Sequence, residues 1–387
     1  MVEILTLNKI AACGTDKFDK GSYNVSDNAA NPAGIMVRSA AMHDMTFGSD
    51  LLAIARAGAG VNNIPVERCA GEGIVVFNTP GANANAVKEL VIAALLMSSR
   101  KLTEGVKWAE SLKGNGDEVV KMVEKGKSAF AGPEIYGKTL GIIGMGAIGA
   151  LAGNAAMSLG MKVIGYDPYL SVKAALSMNP GIKMTNDISE LYANSDYVTI
   201  HTPYTPETKG TINENTIAQM KDGVRILNLA RGELVDTAAT KSALASGKVA
   251  AYVVDFPTEE MLGTPGVTCL PHLGASTPEA EDNCAVMAAE ELIEYLERGN
   301  IRNSVNFPNA ELNAAGTKIV VLHKNVPAVI SEITSILGTA GINISNMISP
   351  SKGNFACTLI DAEGDITEDI KVKLSAPENV VRVRVIK

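Results

Sequence analysis

Only 4% of the 387 residues are aromatic, with a single tryptophan, and histidine occurs just four times, as His43, His201, His272 and His323. Five cysteines (Cys13, Cys69, Cys269, Cys284, Cys357) are scattered and odd in number. Neither a disulfide framework nor metal-ligand spacing is visible among them, so free thiols in a reducing cytosol are expected. No apolar stretch is long enough to span a bilayer. The opening MVEILTLNKI lacks a basic region followed by a long apolar one, and reads as a first β-strand rather than a leader. The net charge of −8 is spread without an acidic tail or basic block. That argues against nucleic acid, whose phosphates need clustered Lys and Arg, but leaves room for a small-anion pocket.

What is abundant is glycine, 36 residues, in a chain that is 46% hydrophobic and 20% charged. This suits an α/β protein with many strand-to-helix turns, and the length calls for two or three domains. Apolar runs of strand length (LGIIG, KVIGYD, DYVTIHTP, RILNLA, YVVDF, VTCLP) alternate with helical patterns, the rhythm of a parallel sheet with crossover helices. The first hundred residues repeat it on a smaller scale. After His272 comes a long amphipathic helix ending at Gly299-Asn300, then the polar linker NFPNAELNAAG. The tail reads β-α-β-β-α-β, a ferredoxin-like module.

The sharpest motif is Gly144-Met145-Gly146-Ala147-Ile148-Gly149, between an apolar strand and a helix. Asp167 ends the next strand 23 residues after Gly144, close to the roughly 20 of a dinucleotide fingerprint. Gly144 permits the turn, Gly146 lets backbone approach a pyrophosphate, and Gly149 lets helix and strand pack closely. A carboxylate at 167 binds ribose hydroxyls and repels a 2′-phosphate, which points to NAD rather than NADP. Three further stretches, HTPYTPET, NLARGELVD and PHLGAST, stand at strand ends where such folds bind ligands.

Taken in order with the segment DFPTEE, these motifs resemble the D-2-hydroxy acid dehydrogenase family. HKNVP and GINIS resemble an ACT regulatory module. The resemblance implies a Rossmann-type NAD domain at 98–277, a smaller flavodoxin-like substrate domain at 1–97 and 278–310, and an ACT domain at 316–387. It implies NAD-dependent oxidation of 3-phospho-D-glycerate to 3-phosphohydroxypyruvate, the first step of L-serine biosynthesis, in a cytoplasmic homo-oligomer (dimer or tetramer). Alternatives are glyoxylate or hydroxypyruvate reduction by the same machinery, or an NAD-sensing interaction protein like the corepressors built on this fold.

By the same resemblance His272 is the general acid/base, and Arg231 is the guanidinium that grips the substrate carboxylate. Glu260 is the carboxylate that holds the histidine; the proline that normally follows it is absent here, which leaves Glu259 as a rival. His201, Thr202, Pro203, Ala230, Asp255 and Gly274 would line the nicotinamide end of the cofactor. Arg38, Ser39, Gly58, Ala59 and Gly60 would face the substrate, with Arg56 as a helper. In the tail, His323, Asn325, Asn343 and Ile344 would bind an effector, L-serine, unless the module serves dimerisation alone. Pro327-Ala328 stands where the ACT pattern has Pro-Gly.

Overall fold

The computed structural model describes residues 1–314 and 316–387; Ala315, in the expected linker, lies outside the described residues. The chain forms two compact units, Met1–Asn83 with Pro278–Lys387, and Ala84–Thr277.

The first unit opens with five parallel strands, β1 (Val2–Leu7), β2 (Tyr23–Ser26), β3 (Gly34–Val37), β4 (Ala53–Arg56) and β5 (Val75–Asn78), in the order β2-β1-β3-β4-β5. The strand order turns back between β1 and β3, so a crevice is expected beyond their carboxyl ends. The predicted long helix runs Pro278–Arg298 and stops where Gly299 takes a φ of 66°. It buries Ala285, Ala288, Ala289, Leu292 and Tyr295, an i, i+3, i+4 stripe.

The second unit holds seven parallel strands: β6 (Thr139–Ile143), β7 (Lys162–Tyr166), β8 (Lys183–Thr185), β9 (Tyr197–Ile200), β10 (Val224–Asn228), β11 (Val249–Val254) and β12 (Val267–Cys269). Their order, β12-β11-β10-β9-β6-β7-β8, is the doubly wound one, with its switch point between β6 and β9. Unbroken apolar runs such as β9, buried at all four positions, follow from helices covering both faces.

The boundary differs from the one expected after residue 97. Helix Ala84–Ser99 buries Val87, Val91, Ala94 and Leu95 in the core of the second unit with Leu140, Ile142 and Leu227, so the chain divides ahead of it.

The tail forms β13 (Thr317–Lys324), helix Val329–Thr339, β14 (Asn343–Ile348), a two-residue β15 (Ser351–Lys352), β16 (Phe355–Glu363), helix Glu368–Ser375 and β17 (Val380–Ile386). The antiparallel sheet runs β14-β16-β13-β17, the ferredoxin-like order. The module expected at 316–387 has its own sheet and core, and it also packs into the first unit. The pleat of β13 explains why. Ile319 and Val321 pack under the module's two helices, whereas Val320 and Leu322 join Phe77, Tyr295 and Phe307 in the core beneath β1–β5. Polar clamps add to this: Lys318 Nζ donates to Asn300 Oδ1 (2.5 Å) and Leu312 O (2.6 Å), and Arg384 donates to the carbonyls of Tyr295 (2.8 Å) and Leu296 (2.7 Å).

Candidate active site

Gly144 follows β6 with a φ of 92°, a left-handed conformation that disfavours any side chain. A Cβ there would stand 2.9 Å from the backbone of His201, at the end of the neighbouring β9. A Cβ on Gly149 would strike Gly144 O at 2.1 Å, whereas one on Gly146 would meet nothing within 4 Å. Gly144 and Gly149 are therefore demanded by packing, while Gly146 keeps an open approach to the helix end. Helix Ala147–Ser158 has no side-chain cap, so its leading N–H groups remain available to an anion. Asp167 accepts from Met145 N (2.9 Å) through Oδ2 and from Tyr169 N (2.8 Å) through Oδ1. This fixes the carboxylate beside the glycine turn, with a lone pair to spare on each oxygen.

On the other side of the switch point, His201 Nε2 pairs with Thr199 Oγ1 (3.0 Å). Its Nδ1 and the hydroxyl of Thr202 are buried without a partner. Burial pushes the imidazole down to about 4, so it is neutral at physiological pH. At the end of β10 the buried Asn228 donates to Arg231 O (2.8 Å) and accepts from Ala230 N (3.3 Å), folding the LARG turn that presents Arg231.

The carboxyl end of β11 gathers the reactive groups. The Arg231 guanidinium stands 5.6 Å from the Phe256 ring, and the His272 ring stacks on the same phenyl at 4.4 Å with a 47° tilt. Asp255 is 1% exposed; its Oδ2 accepts from Gly274 N (3.2 Å) and its Oδ1 has no partner. Burial raises this carboxyl group, against the opposing pull of His272 and Arg231. His272 itself sits at φ 51°, an unusual backbone for a non-glycine residue. Strain of this kind persists where the surrounding structure over-determines it.

Glu260 is not brought to His272. Glu259 and Glu260 lie in the short turn Glu259–Met261, both exposed. Among the described residues neither side chain bonds or pairs with the imidazole. Met261, 2% exposed, anchors the turn inward and leaves the glutamates facing water. The carboxylate buried nearest the histidine's loop is Asp255.

In the first unit, beyond the carboxyl ends of β1 and β3, Asn8 Oδ1 accepts from Ser39 N (3.0 Å) and Ala40 N (2.6 Å). Arg38 directly follows β3 and pairs with Glu281 at 2.6 Å. Arg56 ends β4, donates through Nε to Arg38 O (3.1 Å), and lays its guanidinium across Gly58, where a Cβ would collide. Gly58 at φ 143° turns the chain through Ala59 and Gly60, and Asn78 Nδ2 holds that turn through Ala59 O (2.6 Å).

Residues 92–274 match the model of the NAD-binding domain of D-isomer specific 2-hydroxyacid dehydrogenases. A D-3-phosphoglycerate dehydrogenase of Methanocaldococcus jannaschii is 38% identical over 265 residues, 67% of this chain and 48% of that protein. The human protein of the same name is 35% identical over 282 residues, 70% of this chain and 50% of its own length. Residues 92–274 are an NAD-binding domain of the D-isomer specific 2-hydroxyacid dehydrogenase family. The chain spans about half the length of the curated relatives it matches. Among solved structures, an NAD+-bound 3-phosphoglycerate dehydrogenase of Entamoeba histolytica superposes with a TM-score of 0.62 at 25% identity, covering 79% of this chain and 98% of that one. The TT0316 protein of Thermus thermophilus gives 0.63 at 26%, covering 79% and 100%.

Within the second unit, the orphaned polar atoms His201 Nδ1, Thr202 Oγ1 and Asp255 Oδ1 stand at strand ends on the side expected to face NAD. A nicotinamide amide, with two donors and an acceptor, suits that set. No group of metal-binding side chains occurs among the described residues, and no helix is long and apolar enough to cross a membrane.

The tail residues do not converge. His323 is 3% exposed, with Nε2 on Thr358 Oγ1 and Nδ1 near Lys324 O, both 2.8 Å. Asn325 donates to Gly353 O (3.1 Å), Asn343 donates to Glu363 Oε2 (2.9 Å), and Ile344 pairs with Ala362. His323 pairs with Ala356 and Asn343 with Glu363, at opposite ends of β16. At a strand's rise per residue, roughly 23 Å separates them within one chain. Ala328 takes a φ of 74° at the start of its helix, the left-handed place that glycine would fill without strain.

Asn8, Asn228, Phe256 and Glu281 were not singled out from the sequence. A polar residue ending an apolar strand was the available signal for the two asparagines. Nothing local announces Phe256 or Glu281.

Proposed function

We propose that this chain oxidises 3-phospho-D-glycerate at C2 to 3-phosphohydroxypyruvate with NAD, the entry step to L-serine. The observation that carries it is the pairing of Arg231 and His272 on one phenyl ring, beside a buried carboxylate. Arg231 grips the substrate carboxylate with two parallel N–H donors and so fixes the angle of C2. His272 takes the proton of the C2 hydroxyl, and Asp255 favours the imidazolium that results. Bound NAD supplies the acceptor for the hydride that leaves C2. Gly144, Met145, Gly146, Ala147, Ile148 and Gly149 hold its pyrophosphate, Asp167 its ribose, and His201, Thr202, Pro203, Ala230, Asp255 and Gly274 its nicotinamide end. In the first unit, Arg38 and Ser39 take the phosphate and the Gly58-Ala59-Gly60 turn offers N–H groups to an anion.

A steady-state panel of 3-phosphoglycerate, D-glycerate, lactate and glycolate with NAD tests this. The phosphorylated acid should give the highest kcat/KM. A preference for glycolate or glycerate would favour the glyoxylate/hydroxypyruvate reductase reading instead.

We also place the protein in the cytosol as a homo-oligomer. Helices Leu102–Ser111 and Val119–Gly126 bury no residue and leave Val106 and Val120 exposed, a surface suited to cover by a second copy. L-Serine is the proposed effector, held between copies by Asn325 of one and Asn343 and Ile344 of another, with the buried His323 supporting the strand beneath. Serine-dependent inhibition that disappears on dilution to monomers would support this; unchanged activity at millimolar serine would remove it.

A further inference from the structure

Arg38 does not stand alone at the end of β3. The Glu281 carboxylate accepts from its Nη2 at 2.6 Å, and the two side chains are 43% and 44% exposed. Glu281 sits in the first turn of helix Pro278–Arg298, where the free N–H groups favour a carboxylate. Arg56 is bonded to the Arg38 carbonyl, and Cys284, one turn beyond Glu281, feels the charges of Arg56, Arg38 and Glu281 together. Two guanidinium groups and one carboxylate therefore share this end of the first unit's sheet.

We infer that Glu281 is a specificity-determining residue of this anion site, competing with the far anionic group of the substrate for Arg38. The inference rests on the assignment of Arg38 to that group. A half-exposed ion pair is worth little, so an incoming anion can exchange for it. The carboxylate stays on its helix, however, and repels whatever anion takes its place. A single charge facing a double one roughly 6 Å away, even at the dielectric of water, amounts to about tenfold in affinity. Glu281 thus narrows the advantage of a phosphorylated acid over one whose far end is uncharged, and shields Arg38 from adventitious anions.

The test is calorimetric binding of 3-phospho-D-glycerate, D-malate and D-glycerate to the NADH-loaded protein, wild type against Glu281→Gln. The expected result is about tenfold tighter binding of the phosphorylated acid, a smaller gain for malate, and glycerate within twofold. Equal shifts for all three acids would overturn the proposal. So would weaker binding of the phosphorylated acid, which would make Glu281 a support for Arg38 instead. Should the wild type bind malate and glycerate but never 3-phosphoglycerate, the proposed substrate falls, and the malate-to-glycerate ratio still decides the role of Glu281. Thermal melts of both proteins guard against misfolding, with Glu281→Ala as the second variant.

Discussion

Replacing Glu291 by glutamine should make the protein more resistant to alkaline conditions. Glu291 lies on the inner side of helix Pro278–Arg298, 6% exposed, with Oε1 bonded to Asn303 Nδ2 (2.7 Å) and Oε2 without a partner. Burial pushes its carboxyl up to about 8, against an ordinary 4.5, with the Asn303 bond pulling the other way. Between those values the unfolded chain is ionised and the folded one stays protonated, so stability falls as pH rises from about 4.5 to about 8. Integrated over the shift, the loss approaches about 5 kcal/mol as an upper bound. Glutamine keeps the shape and the Asn303 contact but cannot ionise. In a unit of roughly 190 residues the gain over wild type near pH 8.5 would reach at most about 10–20 °C in Tm, and vanish near pH 4.5. Melting curves of both proteins across pH 4.5 to 8.5 measure this. Two curves that stay parallel over the whole range would refute the buried-carboxyl account.

The second unit should show the opposite slope. With His201 held neutral down to about 4, its stability is intact above about 6.5 and falls as acid is added through that window, by about 3 kcal/mol in all; His201→Gln should flatten the acid limb in urea titrations. Asp167→Ala should cut the kcat/KM preference for NAD over NADP at least tenfold. Because Asp167 also holds two backbone N–H groups, the same variant should lose about 1–3 kcal/mol of stability in denaturant melts.

Much of the fold was legible because its signals are local. Apolar runs marked β6, β7 and β9 to β12, though not the short β8, and the spacing from Gly144 to Asp167 marked the cofactor side. The C-terminal βαββαβ order was equally plain. What escaped depended on contacts far apart in sequence. The run KIVVLH announces a strand buried on both faces, but not that one face closes on Phe77 and Phe307. Helix Ala84–Ser99 looks the same whichever unit takes it, and only its packing moves the boundary ahead of it. Glu260 stood at the family's position, yet the burial of Met261 turns that segment outward. His323 matched an effector motif, while both its ring nitrogens are engaged within the sheet. Arg38 was legible as an anion binder; its partner Glu281 lies 243 residues away.

The most direct test of the central claim is kcat/KM for 3-phosphoglycerate in Arg231→Ala at saturating NAD. Loss of two charge-assisted hydrogen bonds to one carboxylate predicts a fall of about a hundredfold or more. Turnover within tenfold of wild type would contradict it, because the guanidinium and imidazole that meet on Phe256 would then not serve the same ligand.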